Sequence, residues 1–156
     1  YVKRESSGNG YTGPAVFLNN GYLEIYLIDT WGGETCHLVP TADSTRAHGA
    51  GIYQHIVVTY DGSTNAAGFT GWVNGVKHTV ANGKLAVGAG GDTLDAGSVV
   101  VNSINPMWGA DTSTGTSGLQ SGGADNCAAW KGVHITDAQA AILYNSGTPI
   151  DVRRGL

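Results

Sequence analysis

Carboxylates are the first side chains to weigh in a chain that carries only three glutamates, Glu5, Glu24 and Glu34. Retaining hydrolysis of a glycosidic bond by paired carboxyl groups needs two of them roughly 5 Å apart, as alternate positions of one strand provide. None of the three has Asp or Glu two positions away, which excludes that arrangement. Glu24, between Leu23 and Ile25, reads instead as a solvated residue on a half-exposed strand. The many serines include no G-x-S-x-G elbow, so nucleophilic catalysis has no local signature. His37, His48, His55, His78 and His134 show neither an i, i+4 nor an H-x-H pairing, and His55 sits in a run that makes it a packed strand residue. Cys36 and Cys127 lack the C-x-x-C spacing of a zinc or redox site; one disulfide, or two buried thiols in strands, are the remaining readings. The residues best suited to chemistry are therefore those of recognition. Trp31, within Asp29-Thr30-Trp31-Gly32-Gly33-Glu34, combines a flat apolar ring with Asp29 and Glu34 as acceptors on either side, the combination that takes the apolar face and the hydroxyls of a sugar. Trp108, before Gly109 and Asp111, is the second candidate. The alternative for Trp31 is a loop tryptophan folded over a sheet edge.

Those residues need a scaffold, and composition narrows it. A length of 156 residues suits one domain, 1–156. Eight Lys+Arg against twelve Asp+Glu give a net charge of -4 with no basic block, so a surface for nucleic acid lacks its main electrostatic term. No apolar run is long enough to span a membrane as a helix. The N-terminus has no apolar targeting segment and no Met, from which we expect an excerpt of a longer protein. With 25 Gly and 13% charged residues, short strands joined by turns are favoured over helices.

Periodicity of two runs through Tyr22 to Asp29, with Leu23, Ile25 and Leu27 on one face and Glu24 and Tyr26 on the other, predicting a strand with one wet side. Tyr53 to Tyr60, rich in β-branched and aromatic residues, predicts a second strand that stops at Asp61-Gly62. Phe69 to Val73 and Val76 to Val80 flank Asn74-Gly75, which predicts a hairpin with a type I′ turn. Further strands are expected at Cys36 to Val39, Leu85 to Val87, Gly97 to Ile104 and Asn126 to Trp130, and a long surface loop from Ala110 to Ala124. One helix of roughly three turns is expected after the capping box Thr136-Asp137-Ala138-Gln139, with Ala138, Ala141, Ile142 and Leu143 as its apolar stripe and Gly147 and Pro149 at its end. Many strands and one late helix predict a β-sandwich.

Two segments then carry a resemblance. His55-Ile56-Val57-Val58-Thr59-Tyr60-Asp61-Gly62-Ser63 followed by Gly71-Trp72-Val73-Asn74-Gly75-Val76, and later Asp125-Asn126-Cys127-Ala128-Ala129-Trp130 with Ile135-Thr136-Asp137-Ala138-Gln139 and Leu143-Tyr144-Asn145, resemble the signature of LamG-like jelly rolls of the concanavalin A-like lectin/glucanase superfamily. The resemblance covers Tyr22 to Pro149. It departs at Tyr53, where the family has Trp, at Gln54, which replaces the first of two histidines, and between Trp130 and Thr136, where one residue is added. The resemblance implies an all-β, two-sheet antiparallel jelly-roll sandwich with a short C-terminal helix, in which Trp72, Trp130 and Cys127 face a sheet or the core. The family's opening strand has no counterpart, and we expect Ile150 to Leu156, or a neighbouring copy, to cover its place. The wording of Tyr60 to Gly68 and of Leu143 to Asp151 looks most like copies in bacteriophage virion proteins and bacterial extracellular proteins. That implies a non-enzymatic module at a virion surface or outside a cell, a tail fibre or capsid decoration, with other virion or surface subunits and glycan as partners. A secreted bacterial carbohydrate-binding or adhesion domain is the alternative, and a glycosidase remnant the third reading. Relatives also suggest calcium, an optional cofactor here, for which Asp92, Asp95, Asp111 and Asp125 in or beside Gly-rich loops are the candidate oxygen ligands. Taken singly, each of these aspartates reads first as a turn residue or a solvated carboxylate.

Overall fold

The computed structural model describes residues 11–31, 33–45, 54–95, 127–130 and 132–148. Within them the chain forms β1 (Gly13–Asn19), β2 (Tyr22–Ile28), β3 (Thr35–Pro40), β4 (Ile56–Tyr60), β5 (Phe69–Val73), β6 (Val76–His78), β7 (Leu85–Thr93) and one helix, α1 (Asp137–Tyr144). The strands make two antiparallel sheets, β1-β2-β3-β7 and β4-β5-β6. Two of the connections use the same device. Asn20-Gly21 and Asn74-Gly75 each stand between paired strand residues, Asn19 with Tyr22 and Val73 with Val76, and all four adopt positive φ, as a two-residue type I′ turn requires. At Gly75 the demand is double, because a Cβ there would also lie 2.7 Å from the ring of Tyr144.

Register decides which side chains meet. Pairing Val16 with Ile25, Leu18 with Leu23 and Ile25 with Leu38 collects Val16, Leu18, Leu23, Ile25, Leu27, Cys36 and Leu38 on one face of the larger sheet. That face shares a core with Phe69 and Val73 of β5 and with Ile56, Val58 and Tyr60 of β4. Contact is close enough that a Cβ on Gly71 would meet a methyl of Leu23 at 2.4 Å. The two sheets therefore pack face to face as an all-β sandwich. The opposite face of the smaller sheet presents Val57 and Trp72, which α1 covers with Ala140 and Leu143, helped by Ile135. Burying a side chain such as Leu143 contributes about 1.5–3 kcal/mol. The exposed Lys77–Asp137 ion pair at 2.9 Å adds little.

Several expectations need correction. Strand β1 was not foreseen, and β7 runs through the glycine tract to Thr93 instead of stopping at Val87, while β6 ends at His78. Helix α1 has eight residues, just over two turns, with the expected capping box at Thr136 and Gln139. Its buried residues are Ala140 and Leu143, whereas Ile142 is 60% exposed, because the contact with the sheet is narrower than the apolar stripe. Residues 127–130 form no strand; Cys127 is exposed instead of facing the core, and Trp130 is 45% exposed instead of packed on a sheet. Without a strand at this point the period-two alternation that was to turn Cys127 inward does not operate. Trp72, by contrast, is buried as expected, and both cysteines are free thiols. The expected strand at Gly97 to Ile104, the loop from Ala110 to Ala124 and the covering segment Ile150 to Leu156 lie outside the described residues.

His78 is fully buried, its neighbour in register, Gly71, points into the inter-sheet core, and neither ring nitrogen has a hydrogen-bond partner among the described residues. Burial, then the nearby Lys84 charge, push its pKa below the usual histidine range. The unfolded chain thus binds the proton more readily than the folded one, so the titration of His78 lowers stability as pH falls below about 6.5 and has no effect well above it. Urea unfolding at pH 8 and pH 5 is expected to give a lower midpoint at pH 5, and His78→Leu to flatten that difference while gaining about 1 kcal/mol at pH 8, since it removes two unpaired buried polar atoms. Gly75→Val is expected to cost about 2 kcal/mol or more in the same assay, from a β-branched residue at positive φ and a clash with Tyr144.

Candidate functional site

The second face of the larger sheet is where the sequence reading and the structure part most clearly. Because β2 and β3 pair Tyr26 with His37, and β1 and β2 pair Phe17 with Glu24, these four side chains share that face. It is not a wet face. Glu24 is 7% exposed, His37 5%, and Ala15, Ile28 and Thr35 are fully buried. The correction has a physical basis: an acid can sit inside when donors await it. Oε1 of Glu24 accepts from the Tyr26 hydroxyl at 2.5 Å and from His37 Nε2 at 2.9 Å. An ionised carboxylate only accepts, so Nε2 carries the proton in this contact.

Hydrogen bonding from His37 is the largest influence on Glu24 and lowers its pKa to about 2, against an opposing push from burial and with further help from Tyr26 and Asn19. Glu24 is thus held as an anion across the whole working range of pH. It cannot serve as a proton donor there.

Around this carboxylate the rings assemble. Tyr26 and His37 stack with centroids 4.1 Å apart and planes at 14°. Phe17 meets Tyr26 edge-on at 5.6 Å. Trp31 leans on both members of the stack, 5.9 Å from Tyr26 and 5.9 Å from His37, and Tyr11 approaches it edge-on at 5.9 Å. The β2–β3 connection places the indole there. Asp29 and Thr30 donate their backbone N–H groups to Glu34 O at 2.9 and 3.2 Å, Gly33 N–H donates to Thr30 O at 3.1 Å, and the Thr35 hydroxyl donates to the same Thr30 carbonyl at 2.8 Å. Thr12 ties the turn to the start of β1 by donating to Asp29 O at 2.8 Å. These bonds tie the described residues of the connection to one another and to β1, and Trp31 within it remains 42% exposed. Strand β7 passes the far side of His37 at Gly88, where a Cβ would come within 2.4 Å of Nδ1.

Of the residues expected from sequence, Asp29, Trp31 and Glu34 all belong to the β2–β3 connection, the two acids half-buried and the indole exposed. Trp108, Asp111 and Asp125 lie outside the described residues. Asp92 is exposed on β7, where its carbonyl accepts from the Cys36 thiol at 3.5 Å, and Asp95 is exposed just beyond that strand. Among the described residues no group of three or more His, Cys, Asp or Glu side chains is spaced to hold a metal ion. Sequence reasoning missed Tyr11, Phe17 and above all Glu24 and His37. The available signal was that Glu24 and Tyr26 share a face by periodicity, while the register that adds His37 depends on the turn at 29–34. His55 is packed, as expected, but it lies just before β4 and not within a strand: half-buried, near the Tyr144 ring, with its pKa lowered by burial.

Compared with known proteins, the chain matches no family model, no curated protein and no solved structure.

Glu24 stabilises the fold through its depressed pKa. That contribution is complete above about pH 4.5 and lost as pH falls toward 2. Acid titration of stability is expected to show this limb in the wild-type protein and to lose it in Glu24→Gln. Cys127 is exposed, whereas Cys36 is buried with its thiol pushed up to about 11 by burial and the nearby Asp92. A thiol reagent is expected to modify Cys127 rapidly in the native protein and Cys36 only after denaturation.

Proposed function

We propose that this chain is a non-enzymatic, surface-displayed binding module that attaches to glycan through the aromatic face at Trp31. The observation that carries the reading is a half-exposed indole mounted on a hydrogen-bonded turn and backed by three further rings, in the same connection as Asp29 and Glu34. Such a surface offers the apolar face of a pyranose a large, rigid contact at little cost in side-chain entropy. In this reading Asp29 and Glu34, from the same connection, would supply acceptors for sugar hydroxyls. A purely structural tryptophan would be expected to bury its ring against the sheet more completely.

The lack of catalysis in this reading has its own support. Glu24, the carboxylate nearest the rings, is engaged by two donors and held ionised, so it is unsuited to protonate a leaving group. In keeping with the resemblance of the His55 to Val76 and Asp125 to Asn145 segments, we read the sandwich as a LamG-like jelly roll. Its setting would be a phage virion protein, as tail fibre or capsid decoration, where it mediates assembly or host attachment, or a bacterial extracellular protein. Calcium bound by the loop aspartates would then shape the rim rather than contact the indole.

A glycan array is expected to give specific signals with the wild-type module, and Trp31→Ala to abolish them with an unchanged unfolding midpoint. Added EDTA weakens the signals only if calcium builds the rim. Binding retained in Trp31→Ala would move the site away from this face, with Trp108 the next residue to replace. An array without signals would leave assembly as the function.

A further inference from the structure

We propose that Glu24 is a positioning residue for the Trp31 platform, its buried carboxylate setting the two stacked rings on which the exposed indole rests. This role builds on the reading of the Trp31 face as the binding surface, and it adds a side chain that never meets the sugar. One oxygen, Oε1, receives both the Tyr26 hydroxyl and His37 Nε2, so the separation of those two donors is set by a common acceptor. The rings obey it, lying 4.1 Å apart and within 14° of parallel. Of the staggered rotamers a Tyr and a His side chain can adopt, the shared acceptor favours the combination that brings both donors to it.

The indole inherits that choice. Trp31 is 5.9 Å from both rings and tilted by 35° and 43° to them, so a turn of either ring would alter the surface on which it leans. Gly88 closes the arrangement from the β7 side: there is space for the His37 ring and none for a Cβ. A buried acid is a costly means of filling the space. An apolar residue at position 24 would remove the desolvation penalty, yet it would take this acceptor from both rings at once. The cost therefore coincides with the orientation of the aromatic surface, which an apolar residue could not direct.

Trp31 itself reports the outcome. Its emission is isolated as the difference between the wild-type protein and Trp31→Phe, and is followed in Glu24→Leu, Glu24→Gln and Tyr26→Phe, each verified to unfold cooperatively. Glu24→Leu is expected to shift that emission to the red and to increase its quenching by acrylamide. Glu24→Gln, whose amide oxygen can accept the same two hydrogen bonds, is expected to return both toward wild type, and Tyr26→Phe, which keeps the ring and loses one donor, to fall between. Affinity electrophoresis in gels cast with laminarin, xylan or galactan supplies the binding arm. With any polysaccharide that retards the wild-type protein, Glu24→Leu is expected to lose affinity by about tenfold or more, equivalent to about 1.4 kcal/mol. Unaltered Trp31 emission and quenching in folded Glu24→Leu would overturn the proposal, and should that variant fail to fold, unaltered values in Tyr26→Phe would do the same. A wild-type protein that none of the polysaccharides retards counts against the glycan reading alone, since the fluorescence of Trp31 is independent of it.

Discussion

A carboxylate taken out of water must be met by donors or be lost as a charge, and the outer face of the larger sheet is organised around how Glu24 meets that condition. Its solvation is replaced by the Tyr26 hydroxyl and the His37 ring N–H. Removing one partner of a buried pair of this kind typically costs about 3–5 kcal/mol, a large fraction of the stability of a small domain. The pair also constrains geometry, because both donors are aromatic rings and their stacking follows from the shared acceptor. The turn carrying Trp31, the close passage of Gly88 and the edge contacts of Phe17 and Tyr11 are all arranged about that stack.

The smaller sheet solves a different problem with different means. One of its faces turns apolar side chains to the shared core and the other presents Val57 and Trp72 to α1, which covers them. A capping box starts the helix and Asn145 in the left-handed region ends it, so only a short stretch is helical. Into the shared core this sheet also carries His78, a polar ring without partners among the described residues. The two sheets thus treat buried polarity in opposite ways. Glu24 is favoured in its ionised form by the donors around it, whereas His78 is kept neutral by burial. Both losses of stability on acidification follow from this contrast, over separate ranges of pH.

Local signals in the sequence were read with uneven success, and particular residues show why. Asn74-Gly75 announced its hairpin because a type I′ turn has a strict residue requirement, and Thr136 with Gln139 announced the helix start because the capping box is local chemistry. Asn20-Gly21 carries the same requirement and forms the same turn, yet β1 went unread: Pro14 at its start and the polar residues before it obscured a run that is plainly apolar from Ala15 to Leu18. Glycine misled in the other direction. The tract from Gly88 to Gly91 reads as a loop, but its small residues serve a strand that passes close beside His37 and Thr35.

By itself the sequence determined the class of the protein and its local punctuation: a composition suited to strands, the period of two from Tyr22 to Ile28, the turn at Asn74-Gly75 and the helix capped at Thr136, each encoded within a few neighbouring residues. It also singled out Trp31 with Asp29 and Glu34, because an aromatic residue in a glycine-rich turn is conspicuous along the chain. Only the tertiary structure decided that the Glu24 face is buried, that His37 lies across from Tyr26, and that Trp31 rests on both. Periodicity tells which side chains share a face but not whether that face meets water. That depends on strand register and on what packs above it, which are properties of residues far apart in the sequence. The same limit explains Cys127, whose expected alternation presupposed a strand that the described fold does not form.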